Sequence, residues 1–62
     1  MYQITAVYQG FEVAYAEADG FEYAKEEVMD QLNSSIYNEV MEDVVLQCLA
    51  PDGMIVQMPA II

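Results

Sequence analysis

The spacing of apolar residues changes period twice along this chain, which leaves few folds open. Tyr2, Ile4, Ala6 and Tyr8 alternate with Gln3, Thr5 and Val7, the two-residue period of a half-buried strand. Gln9-Gly10 supplies a turn. Phe11, Val13 and Tyr15 then alternate with Glu12, Ala14 and Ala16, so the first unit reads as an antiparallel hairpin. Beyond it the period lengthens. Phe21, Ala24, Val28 and Leu32 recur at three- and four-residue spacing, a stripe suited to lie against a sheet. Asp19 followed three residues later by Glu22 fits a capping box, because an acidic side chain can accept the free N–H groups of a first helical turn. These signals predict a helix over 20–33, closed by Asn33-Ser34-Ser35.

Residues 36–42 support two readings: Ile36, Val40 and Val44 keep helical spacing after a Ser35 cap, and an irregular crossover is the alternative. A short helical turn is the preferred one. From Asp43 the period returns to two through Val44, Leu46 and Cys48. Ala50-Pro51-Asp52-Gly53 then reads as a turn and Met54–Met58 as a return strand. Pro59 should end or edge that strand, since it has no N–H to give a ladder. The expected architecture is one α+β domain over 1–62, a four-stranded antiparallel sheet in ββαββ order with helix 20–33 packed on one face.

A chain of 62 residues buries only about 60% of its unfolded surface, so domains this small usually lean on disulfides, a metal or a second copy. Cys48 is the single cysteine and histidine is absent, which closes the intrachain disulfide. Between the strand-like leucines Leu46 and Leu49 its thiol reads as a small hydrophobe. Eleven acidic residues face one lysine, for a formal charge of −10, and that balance argues against direct binding to nucleic acid or anionic membranes. Disorder is not implied, because 56% of the residues are apolar, five tyrosines and two phenylalanines among them, enough for a core. No apolar run approaches the roughly 18 residues of a membrane span, and no signal-peptide pattern opens the chain. The expectation is a cytoplasmic protein.

The carboxylates carry the functional reading. Glu22, Glu26 and Asp30 stand in successive i, i+4 relation with only Lys25 to offset them. Like charges so placed, with Glu27 and Asp30, work against the helix by about 1 kcal/mol in total. Four helical residues rise about 6 Å, of the order of the spacing between neighbouring backbone phosphates. Glu39, Glu42 and Asp43 form a second acidic group, and Glu12, Glu17 and Asp19 flank the first hairpin. Convergence on one surface would offer a negative field to a basic groove; the alternative is a solvated helix face with scattered loop charges. Tyr23 and Tyr37 are the candidate aromatic contacts, since tyrosine is enriched in protein–protein hot spots.

Neither catalysis nor metal binding is expected. Calcium loops need a dense acidic run with a central glycine, which is absent. A catalytic site would need histidine, a cationic cluster or a phosphate-binding loop, and none is present. No cofactor is implied. A second anomaly is the apolar C-terminus, Met54, Ile55, Val56, Met58, Ala60, Ile61 and Ile62. With Val7, Val45 and Leu49 it could give the sheet an apolar open face, the kind of surface that marks an interface. That reading admits a homodimer through the sheet, or an accessory module joining an assembly.

In size, acidity and strand–helix–strand layout the chain resembles small phage-encoded inhibitors of host enzymes, among them DNA mimics, anti-CRISPR proteins and acidic inhibitors of bacterial RNA polymerase. The resemblance is one of kind and carries no residue-level motif. It implies stoichiometric binding to a basic, nucleic-acid-handling protein of a bacterial host, with carboxylates where phosphates would lie. Glu22, Tyr23, Glu26, Asp30, Tyr37, Glu39, Glu42 and Asp43 are the residues expected to meet that partner.

Overall fold

The computed structural model describes residues 1–61; Ile62, named in the apolar C-terminal run, lies outside them. Strands β1 (Tyr2–Tyr8) and β2 (Phe11–Ala18) are followed by helix α1 (Phe21–Asn33), 3-10 turns at Ile36–Glu39 and Met41–Asp43, and strands β3 (Val44–Leu49) and β4 (Ile55–Pro59). The sheet runs β2-β1-β3-β4, and every neighbouring pair is antiparallel. The α+β architecture with a helix on one face is therefore present.

Both hairpins turn where the sequence carries the required residues. Gln9 and Gly10 have φ of 51° and 83°, the left-handed pair of a tight two-residue hairpin loop, in which glycine takes the second position without strain. In the second hairpin Gly53 has φ 89°, and Asp52 Oδ1 accepts the N–H of Met54 at 3.0 Å, the side-chain turn that aspartate favours.

The core lies between α1 and the sheet face that carries Ile4, Ala6, Ala16, Leu46 and Cys48, closed by Ala24, Val28 and Leu32 of the helix. Ala14, Ala16 and Ala18 register with Ala6, Ile4 and Tyr2, so beyond the bulge β2 presents only methyl groups on the core face, and α1 settles over β2 and β1. At one end Tyr2 meets Phe21 edge-on, with centroids 6.1 Å apart; at the other Tyr8 meets Tyr37 at 5.7 Å. The first pair ties the start of α1 to the start of β1, and the second ties the 3-10 turn after α1 to the end of β1. Leu32, Val28, Ile4, Leu46 and Val44 are the largest fully buried side chains, each worth about 1.5–3 kcal/mol of burial.

Two local expectations are corrected. The alternation of β2 does not run through, because the register shifts between Ala6 and Val7 and Val13 bulges; two residues there oppose one, which turns the face over. Tyr15 and Glu17 consequently share the open face with Thr5 and Gln3, while Phe11 is opposite Tyr8 and 74% exposed. The capping box does not form: Gly20 is the N-cap, extended at φ −114°, with no side-chain cap bond. Asp19 stands one residue too early, and a Cβ at Gly20 would come within 3.0 Å of the Tyr23 ring. Residues 36–42 take the preferred short helical form, as 3-10 turns. The Ser35 cap does form, its Oγ accepting the Tyr37 N–H at 3.2 Å and donating to the Leu32 carbonyl at 2.8 Å.

Candidate functional site

All eleven carboxylates are exposed, and no buried side chain among the described residues is polar or charged. The fold therefore uses none of its acids in the core. On α1 the buried stripe of Ala24, Val28 and Leu32 turns Glu26, Glu27 and Asp30 outward, with Glu22 at the flank. Tyr23 shares that outer side, three and four residues before Glu26 and Glu27, and is 71% exposed. An aromatic ring set among carboxylates can meet a cationic side chain by its face while the acids meet the charge. No basic residue occupies the last turn, so the negative end of the helix dipole adds to Asp30 and does not offset it.

Glu39 belongs to the first 3-10 turn and Glu42 and Asp43 to the second, and all three are exposed. Tyr37 is half-buried and packed on Tyr8; most of its ring supports the core edge. The remaining acids do not join the same surface. Glu12 and Glu17 register with Val7 and Gln3 on the sheet face away from α1. Those two stand near opposite ends of β2, so the grouping of Glu12 with Glu17 and Asp19 is not a cluster in space.

On that open face Val7, Val45, Leu49 and Ile55 are present as expected, but Gln3, Thr5, Gln47 and Gln57 alternate with them. Gln3, Thr5, Gln47, Leu49 and Ile55 line a shallow depression of about 160 Å³, smaller than the roughly 300–1,000 Å³ that encloses an ordinary small ligand. The apolar surplus instead gathers on β4. Met54 is 62% exposed, Ile55 71% and Val56 45%: α1 lies over β2 and β1, the helix-side residues Val44, Leu46 and Cys48 of β3 are still buried, and β4 is left outermost.

Two features carried no sequence signal. Gln31, on the flank of α1, donates through Nε2 to the Tyr15 carbonyl at 2.7 Å, and its Oε1 accepts the Tyr15 N–H at 3.2 Å. It thus occupies the outward-facing backbone groups of an edge strand. On β4, Ala60 N–H donates to Val44 O and Ala50 N–H to Met54 O. By the two-residue alternation of an antiparallel ladder, even-numbered residues of β4 bond inward and Ile55 and Gln57 turn both their N–H and C=O groups outward. Pro59 falls on the outward side, where its missing N–H costs no bond to β3.

Cys48 is buried and free, and burial pushes its thiol above the ordinary value, the environment of an inert thiol and not a reactive one. The Tyr15 hydroxyl is also raised, first by desolvation and then by the charge and hydrogen bond of Glu17. No group of histidine, cysteine, aspartate or glutamate among the described residues could hold a metal ion, and no helix there is long and apolar enough to cross a membrane. No family model, curated protein or solved structure matches the chain.

Proposed function

We propose that this chain is a stoichiometric inhibitor or decoy whose acidic helix occupies a basic, nucleic-acid-binding surface of a target protein in a bacterial cytoplasm, in the manner of phage-encoded inhibitors. The observation that carries the reading is the outer side of α1, where exposed Tyr23 stands among Glu22, Glu26, Glu27 and Asp30. Glu22 in the first turn meets the positive end of the helix dipole, but none of these groups enters the core, and the acidic row opposes its own helix. Exposed Glu39, Glu42 and Asp43 on the following turns add negative charge to the same chain, and Tyr37 holds the turn that carries Glu39. The chain has no histidine and one cation, which fits a binding role better than catalysis.

The reading is tested by competition. DNA-binding proteins of a bacterial lysate are held on immobilised DNA and eluted with the purified chain at low salt. Release of a specific protein by wild type, lost with the Glu22→Lys, Glu26→Lys, Asp30→Lys triple variant, is the expected result. Raising salt should abolish release, since exposed charges are screened over about 8 Å at physiological ionic strength. Equal release by wild type and the triple variant, or no release by either, overturns it. The exposed apolar residues of β4 favour a second activity, self-association.

A further inference from the structure

We propose that β4 is the dimerisation strand of this protein, pairing antiparallel with β4 of a second copy to make one continuous eight-stranded sheet. Pro59 ends the edge, but from Ile55 to Gln57 it is open. Ile55 and Gln57 offer two N–H and two C=O groups outward in alternation, whereas the corresponding groups of Tyr15 at the other edge are taken by Gln31. Exposed strand edges of folded proteins are usually protected by charge, a bulge or a covering element. Among the described residues from Val44 to Ile61 the single charged side chain is Asp52, in the turn.

A second copy fits this edge better than a foreign strand because the edge is self-complementary about Val56. With a two-fold axis there, Ile55 exchanges both backbone hydrogen bonds with Gln57 of the second copy, and Gln57 does the same with the second copy's Ile55. The outward N–H groups of Ile55 and Gln57 are both used, and the pairing ends before Pro59 and Gly53, whose N–H is already given to Ala50 O. On the helix side Val56 faces its own counterpart, and Met54 faces Met58 of the second copy, so an apolar row continues the core. The alternative register centred on Gln57 sets Pro59 opposite Ile55 and leaves a carbonyl unpaired.

Net charge does not forbid the pairing. Because α1 lies over β2 and β1, the two acidic helices end about six strand spacings apart, roughly 29 Å at about 4.8 Å each. That exceeds three screening lengths of about 8 Å. The β4 edge is the side on which two copies of charge −10 can approach. A strand pair this short sits at the small end of interfaces, below about 1,200 Å², so the dimer should be concentration-dependent, and salt should strengthen it by screening the residual repulsion.

Sedimentation velocity of the full chain from micromolar to millimolar concentration, at low and high salt, tests the proposal. A monomer–dimer equilibrium that shifts towards dimer with salt is expected, and Val56→Lys, which sets two ammonium groups face to face, should weaken it at least tenfold. Should that variant fail to fold by circular dichroism, crosslinking decides. In a Cys48→Ala background, which removes the thiol that β3 sets directly opposite position 56, Val56→Cys should form a disulfide dimer under mild oxidation, since directly opposed residues of a non-hydrogen-bonded pair bring their Cβ atoms within about 5 Å, and Tyr23→Cys on the helix should not. A monomer at every concentration overturns the proposal, as does a dimer indifferent to Val56→Lys or one that crosslinks faster at position 23 than at 56. The triple charge reversal on α1 should leave the dimer in place, so this proposal and the decoy reading fail separately.

Discussion

The two outer strands of the sheet meet solvent in different ways. β2 is bulged at Val13, carries the alanines that let α1 settle on it, and has the free backbone groups of Tyr15 occupied by Gln31. β4 is regular, is exposed on both faces, and carries outward N–H and C=O groups that nothing among the described residues satisfies. A bulge, a covering helix and a capping side chain are three of the ways a sheet edge is kept from pairing with another chain. One edge has all three. The difference teaches that edge protection follows where the helix lands, and the helix lands where the strand offers methyl groups instead of large side chains.

The sharpest way to break this comparison is to weaken each half in turn. Leu32→Ala, under the helix, should cost about 2–5 kcal/mol, a large part of the stability of a chain this size at about 0.05–0.15 kcal/mol per residue. Val56→Ala on β4 should stay within about 0.5 kcal/mol when the protein is dilute. Urea titration of both variants checks this; comparable losses would mean that the β4 half is packed far more tightly than its exposure indicates. Next in size is Gln31→Leu, which removes both bonds to Tyr15 at an exposed site and should cost about 1 kcal/mol. Amide exchange at Tyr15 should quicken while that at Ala16, bonded to β1, stays slow, and a Tyr15 amide that keeps its protection would show that Gln31 does not close the edge.

Smallest is the effect of alkali. The Cys48 thiol is raised in the folded state, so below its ordinary value both states hold the proton and stability is whole. As pH climbs past that value of 9.0, the unfolded chain ionises first and the fold loses stability, with the raised Tyr15 hydroxyl adding to the loss at higher pH. Melting temperature measured between about pH 8 and pH 10 should decline more for wild type than for Cys48→Ala. Parallel declines would assign the loss elsewhere.

Much of this architecture was legible in residue spacing. The hairpins, the helix ending at Asn33 and the buried stripe of Ala24, Val28 and Leu32 all follow from period and turn residues, because each is decided within a few neighbours. The signals misled where two local solutions compete. Asp19 and Glu22 have capping-box spacing, but the helix begins one residue later, with extended Gly20 as its N-cap, so Asp19 stands outside the capping position. The alternation of β2 looked continuous because a bulge leaves no mark in composition. Of the residues expected to bind a partner, Glu22, Tyr23, Glu26 and Asp30 lie together on α1, while Tyr37 turned inward to Tyr8. Neither Gln31 nor the outward backbone of Ile55 and Gln57 could be read in advance, since both depend on which strand ends up outermost.

By itself the sequence determined the element types, the face of the helix that is buried and the exclusion of acids from the core, because hydrophobic periodicity and the desolvation cost of charge act locally on each residue. Only the tertiary structure decided that β1 and β3 would be central, that α1 would cover one half of the sheet, and that β4 would be left as the open edge. Strand order arises from contacts between residues distant in sequence, and no local pattern records those.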